Sequence, residues 1–148
     1  MKKESSIKIL MADDDADDRL FAQEAFMEGK LVDSLDFVEN GIELIAYLRK
    51  EGKYKNALTP DIVLLDINMP KMNGLEALKI IKNDSQLKQI PVIMLTTSSA
   101  DTDITYAYNN GSNSYISKPV TFSDLVNTLT YLAKYWFKIV SLPHNEKV

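Results

Sequence analysis

The stretch DIVLLDINMPKMNG, residues 61–74, decides the fold. It opens on the run DIVLLDI (61–67), nearly continuous Ile, Val and Leu with Asp66 near its end. A strand with one wet face alternates apolar and polar residues. An unbroken apolar run fits a strand buried on both faces, as in a parallel sheet. PVIMLT (91–96) has the same character, and IKILMA (7–12), SLDFV (34–38) and SYISK (114–118) are three further short apolar runs.

Between these runs the apolar spacing is helical. Residues 17–28 carry Leu20, Phe21, Glu24 and Ala25 around two turns, with Gly29 as a stop. Ile42, Ile45, Ala46 and Leu48 mark residues 41–50; Leu75, Leu78 and Ile81 mark 74–83; Ile104, Ala107 and Tyr108 mark 101–110. The last segment is the clearest, with Phe122, Leu125, Val126, Leu129, Leu132, Ala133 and Trp136 at steps of three and four, and Thr121 or Ser123 to cap it. Strand and helix thus alternate five times. That order predicts an α/β fold, a five-stranded parallel sheet with helices on both faces. Five units fit the open flavodoxin-like strand order 2-1-3-4-5 rather than a closed barrel, which needs eight. In that order the topological switch point lies between strands 1 and 3, and ligands bind just beyond the carboxyl ends there.

The 148 residues suit one domain, and 45% hydrophobic with 26% charged residues allows a full core. The expected domain covers residues 6–143, including an apolar extension, YWFKIVSLP (135–143), with residues 1–5 and 144–148 as flexible tails. A connection at 50–60, KEGKYKNALTP, is longer than usual. A formal charge of −4 argues against nucleic acid as a partner, and no apolar run is long enough for a membrane span. With no cysteine there is neither a disulfide nor a Cys-based zinc site. The N-terminus lacks the apolar centre of a signal peptide, so the chain is expected to be cytoplasmic.

MADDDADD (11–18) puts five aspartates into eight positions at the end of the first strand. Asp13, Asp15, Asp17 and Glu24 fall at positions 1, 3, 5 and 12 of a calcium-loop pattern. Position 6 is Asp18 where the sharp turn needs Gly, and a strand rather than a helix precedes it, so the calcium loop is set aside. The fold gives a better reading. Asp13 and Asp14 stand at the end of strand 1 and Asp66 at the end of strand 3, the two strands flanking the switch point. Like charges that close are relieved by a proton or a cation. An all-oxygen ligand set points to a hard ion such as Mg²⁺. Strand 4 ends at Thr96, a hydroxyl donor, and strand 5 at Lys118, a compact cation. Carboxylate, metal, hydroxyl and lysine are the groups that phosphoryl transfer needs. Asp17 and Asp18 read only as acids that suit the start of a helix dipole.

Taken together, the acidic pair Asp13–Asp14, LLDINMPKMNG around Asp66, Thr96 and YISKP around Lys118 resemble the receiver domain of two-component response regulators, over about residues 6–136. The resemblance implies that Asp66 accepts a phosphoryl group from the phosphohistidine of a sensor histidine kinase. It implies Mg²⁺ on Asp14, Asp66 and the backbone carbonyl of Asn68, with Asp13 assisting through a metal-bound water. Thr96 and Lys118 would contact phosphoryl oxygens, Tyr115 would be the switch aromatic behind Thr96, and Lys118–Pro119 would be a cis peptide. Such a chain catalyses only its own phosphorylation and dephosphorylation. The 50–60 loop and the aromatic ending resemble stand-alone phytochrome-associated regulators, and the ending is a candidate homodimer contact. Two other readings stay open: a pseudo-receiver that only binds partners, and a Mg²⁺-dependent phosphatase with an Asp nucleophile. The latter resembles a D-x-D pattern, whereas Asp66 is followed by Ile67 and Asn68. Thr97 stands where the family commonly has Ala, and bears on access to the acyl phosphate.

Overall fold

A computed structural model of the chain describes residues 7–28 and 32–136. Strand and helix alternate five times: β1 (Lys8–Ala12), α1 (Ala16–Glu28), β2 (Ser34–Val38), α2 (Gly41–Arg49), β3 (Ile62–Leu65), α3 (Gly74–Lys82), β4 (Val92–Thr96), α4 (Asp101–Asn109), β5 (Ser114–Ser117) and α5 (Phe122–Lys134). All strand pairs are parallel and the order is β2-β1-β3-β4-β5, the doubly wound arrangement expected from the sequence. The long 50–60 connection contains one turn of 3-10 helix, Gly52–Tyr54, which the apolar spacing did not signal.

The unbroken apolar runs are explained by two cores, one on each face of the sheet. Leu10, Val63, Leu65, Val92 and Met94 turn to one face and pack under α2 and α3 through Leu44, Leu48, Leu78 and Ile81. Ile9, Met11, Ile62, Leu64, Ile93 and Leu95 turn to the other and pack under α1 and α5 through Phe26, Leu125, Leu129 and Leu132. Alternate side chains of one strand face opposite sides, so burial on both faces favours an apolar residue at successive positions, with Thr96 at the end of β4 the buried polar exception. All of β3 and β4 is accordingly buried. Burying each such side chain contributes roughly 1.5–3 kcal/mol.

The helix faces differ in part from the spacing. In α1 the buried stripe is Ala22, Ala25 and Phe26, whereas Leu20 is 54% exposed. In α2 Ile42 is exposed and Tyr47 is buried, its hydroxyl donating to Asp36 Oδ2 at 2.6 Å. Phe122 is half exposed but meets Phe21 edge to face at 4.5 Å, tying α5 to α1. Helix starts follow their caps. Asn40 accepts from the Glu43 N–H, Asn73 and Glu76 form a reciprocal capping box, and Thr121 caps α5 by accepting from the Asp124 N–H. Gly29, the end of the extension from Phe137, and both tails lie outside the described residues. Among the described residues, no helix is long and apolar enough to cross a membrane.

Candidate functional site

Three residues at the carboxyl edge of the sheet are fixed by backbone hydrogen bonds that continue the strand ladders by one step. The Asp13 N–H donates to the Val38 carbonyl at 3.0 Å, the Asp66 N–H to the Ala12 carbonyl at 3.0 Å, and the Lys118 N–H to the Thr96 carbonyl at 2.7 Å. Each side chain therefore leaves from a backbone anchored to a neighbouring strand. The loop after Asp66 is held as tightly. Gly74 N–H donates to the Ile67 carbonyl at 2.9 Å, and a Cβ on Gly74 would overlap the Asp66 carbonyl. Gly74 is thus required by close approach of two backbones.

The Lys118 side chain, only 5% exposed, reaches across to the acids. Its ammonium donates to Asp13 Oδ2 at 2.8 Å, Asp18 Oδ2 at 2.7 Å and Asp66 Oδ2 at 3.1 Å. The other carboxylate oxygens are taken by backbone: Asp13 Oδ1 accepts from the Asp15 N–H at 2.9 Å, and Asp66 Oδ1 from the Ile67 N–H at 2.7 Å. Asp15 Oδ1 accepts from the Asp17 and Asp18 N–H groups and so caps the start of α1. Asp13, Asp14 and Asp66 each bring a carboxylate oxygen within 4.8 Å of the others, a group able to hold a metal ion. Asp13 and Asp66 are buried and Asp14 is exposed, so the group opens toward solvent on one side. An all-carboxylate set of this kind suits Mg²⁺ or Mn²⁺ rather than a soft metal. Asn68 is exposed in the loop that follows Asp66.

Charge balance shapes this cluster. Burial pushes the Asp13 carboxyl up to about 6, and the hydrogen bond and charge of Lys118 only partly oppose it, while the Asp66 charge adds to the rise. Burial by itself would lower the Lys118 ammonium, but hydrogen bonds to Asp13 and Asp18 and the charges of Asp13 and Asp66 hold it above its ordinary value. Lys118 moves in the sense an ion pair gives, whereas Asp13 moves in the opposite one. One cation is shared among several carboxylates, so it stays charged while the most buried acid is under-compensated.

Thr96 is fully buried at the end of β4, and its hydroxyl accepts a long 3.4 Å hydrogen bond from the Ser98 N–H. Tyr115 donates its hydroxyl to the Ser98 carbonyl at 2.9 Å, and Ser98 Oγ donates to Asp103 Oδ2 of α4 at 2.6 Å. Thr96 and Tyr115 are thus connected through one residue of the β4–α4 loop. Thr97, next to Thr96, is exposed.

Two expectations need correction. Asp18 is not merely a helix-dipole acid: it makes the shortest contact to Lys118. A helical Cα–Cβ bond tilts toward the helix N-terminus. An acid in the first turn of α1 is therefore aimed at the strand ends, a signal available in the sequence. Secondly, the Lys118–Pro119 peptide is trans. Trans is the lower-energy form of an X–Pro bond by about 0.5–1 kcal/mol, and Lys118 reaches the acids from it.

The fold and this acid–lysine cluster at the switch point define a doubly wound α/β domain whose grouped carboxylates are able to hold a divalent cation. Residues 9–130 match the response regulator receiver domain, and the chain belongs to that family. It is similar to response regulator Rcp1 of Synechocystis sp., 35% identical over 135 residues that cover 91% of each chain. Among solved structures, the phosphorylated cyanobacterial phytochrome response regulator RcpA superposes with a TM-score of 0.91 at 38% identity, over 94% of this chain and 99% of that one. The Mn²⁺-bound form of Rcp1 superposes with a TM-score of 0.88 at 33% identity, over 93% of this chain and 99% of that one. Receiver-domain regulators of this kind are generally signalling proteins rather than enzymes.

Proposed function

We propose that the chain is a phosphorylation switch in which Asp66 accepts a phosphoryl group from the phosphohistidine of a sensor histidine kinase. The observation that supports this best is the nearly buried Lys118 ammonium, 3.1 Å from Asp66 Oδ2, beside carboxylates grouped for a metal. An Asp66 oxygen forms the new O–P bond as the N–P bond breaks. The imidazole nitrogen keeps that electron pair and takes a proton. Asp14, Asp66 and the Asn68 carbonyl would hold Mg²⁺, with Asp13 assisting through a metal-bound water. The ion supplies neutralisation of charge building on the phosphoryl oxygens. Lys118 neutralises the same oxygens and Thr96 donates a hydrogen bond to them, so the buried hydroxyl shifts toward Asp66. Through Ser98 that shift reaches Tyr115 and α4, altering the surface a partner binds.

The unit spans residues 6–143, acts in the cytoplasm, and catalyses only its own phosphorylation and dephosphorylation. The similarity to phytochrome regulators makes a phytochrome-type kinase the first to test. The extension 135–143 would pair two copies, which sizing with and without Mg²⁺ and beryllofluoride checks: a single size in all conditions contradicts a phosphorylation-linked dimer. The site itself is tested with acetyl phosphate. The wild type should gain one phosphoryl mass with Mg²⁺ and none with EDTA, and Asp66→Asn should gain none. Equal labelling of Asp66→Asn would overturn the assignment.

A further inference from the structure

An ammonium has three N–H donors. In this cluster all three are engaged, by Asp13, Asp18 and Asp66, on a side chain only 5% exposed. Asp13 and Asp66 are fixed by the sheet through their backbones, but Asp18 comes from α1, a separate element on the face of the sheet. Its placement is well determined. Asp15 caps the helix start by accepting from the Asp18 N–H at 3.1 Å, and Arg19 ties the next residue to the Asp13 carbonyl at 2.8 Å. Asp18 itself is partly exposed, 20% for the side chain, so it is not forced into the cluster by burial. It is also outside the group of carboxylates close enough to share a metal.

We propose that Asp18 is a positioning residue for phosphoryl transfer: it holds the Lys118 ammonium from the α1 side so that one N–H stays aimed at Asp66. The proposal rests on the reading of Asp66 as phosphoacceptor. The longest of the three contacts is the one to Asp66, at 3.1 Å, so it is the bond most readily handed to an arriving phosphoryl oxygen. The bonds to Asp13 and Asp18 then keep the cation in place during the transfer. Without Asp18 one N–H loses its acceptor, and the ammonium can swing toward solvent or toward Asp13. Preorganisation of the charge that meets the phosphoryl oxygens is lost, whereas the carboxylates that hold the metal keep their positions.

The test measures the rate of labelling by acetyl phosphate at saturating Mg²⁺, with Mg²⁺ affinity measured separately on the same variants. Asp18→Asn should slow labelling about tenfold, the loss expected for one charge-assisted hydrogen bond in a partly solvated site. Its Mg²⁺ affinity should change by less than about threefold, since a charge outside the coordination group acts through solvent. Asp18→Glu, which restores the carboxylate, should recover most of the rate. In a Lys118→Gln background the Asp18→Asn change should have no further effect, because its role runs through the ammonium. Wild-type labelling rates in Asp18→Asn, or a full tenfold loss persisting in the Lys118→Gln background, would overturn the proposal while leaving Asp66 as acceptor. Absence of labelling in the wild type would instead remove the reading on which it rests.

Discussion

Replacing Asp13 by Asn is expected to stabilise the metal-free protein above pH 6. Asp13 is fully buried, and its carboxyl is pushed from 3.8 up to about 6, first by burial and then by the neighbouring Asp66 charge, against the pull of Lys118. A folded-state pKa above the unfolded one means that the folded chain holds this proton more tightly. Above pH 6 the ionised acid therefore costs the folded state its full penalty. Below the unfolded value near 4 both states are protonated and the penalty is gone, so stability falls as pH rises from 4 to 6. The gap corresponds to about 3 kcal/mol at 1.36 kcal/mol per pH unit. Asn keeps the Oδ1 that accepts from Asp15, and Lys118 keeps Asp18 and Asp66. It does lose one acceptor, which offsets about 1 kcal/mol of the gain. A net gain of about 2 kcal/mol raises Tm by roughly 4–8 °C for a chain this size. Thermal unfolding in EDTA at pH 8 and pH 4 measures it. The variant should melt higher at pH 8 and close to wild type at pH 4. An equal or lower Tm at pH 8, or a gain that does not depend on pH, would refute the assignment of Asp13 as an under-compensated buried charge.

Other perturbations probe the remaining supports. Lys118→Met leaves Asp13 and Asp66 buried beside each other without their shared cation, and should cost about 3–5 kcal/mol in EDTA at pH 7; denaturant titration should show much of that loss restored by Mg²⁺. Gly74→Ala places a methyl group on the Asp66 carbonyl, so the β3–α3 loop must shift. Urea unfolding should show a loss of about 3 kcal/mol, together with weaker Mg²⁺ binding. Tyr115→Phe removes the hydrogen bond to the Ser98 carbonyl and keeps the ring. Its stability should fall by about 1 kcal/mol, and amide exchange in residues 98–104 should quicken.

Where the sequence carried an unambiguous physical demand, the structure followed it. The parallel sheet was legible because β3 and β4 are buried on both faces, which no alternating strand could be. The meeting of Asp13, Asp14 and Asp66 followed from strand order alone, since β1 and β3 are neighbours. Burial direction in helices was less legible. α1 packs through Ala22 and Ala25, whose small side chains let it approach the sheet, so the larger Leu20 misled. Asp18 was obscured because an acid in a first helical turn already has a sufficient local explanation in the helix dipole. The N-terminal tilt of its side chain aims it at the strand ends, but Lys118 lies 100 residues away and no local pattern names that partner. The bridge from Thr96 to Tyr115 runs through the backbone of Ser98, which side-chain identities do not encode.

The central claim is that a phosphoryl group arrives on Asp66. An acyl phosphate can be reduced by borohydride, which converts the modified aspartate to homoserine and leaves free carboxylates untouched. Protein labelled with acetyl phosphate and Mg²⁺, reduced and mapped by peptide mass spectrometry, should carry homoserine at position 66 and at no other aspartate. Homoserine at Asp13, Asp14 or Asp18, or labelled protein that yields none at 66, would contradict the account.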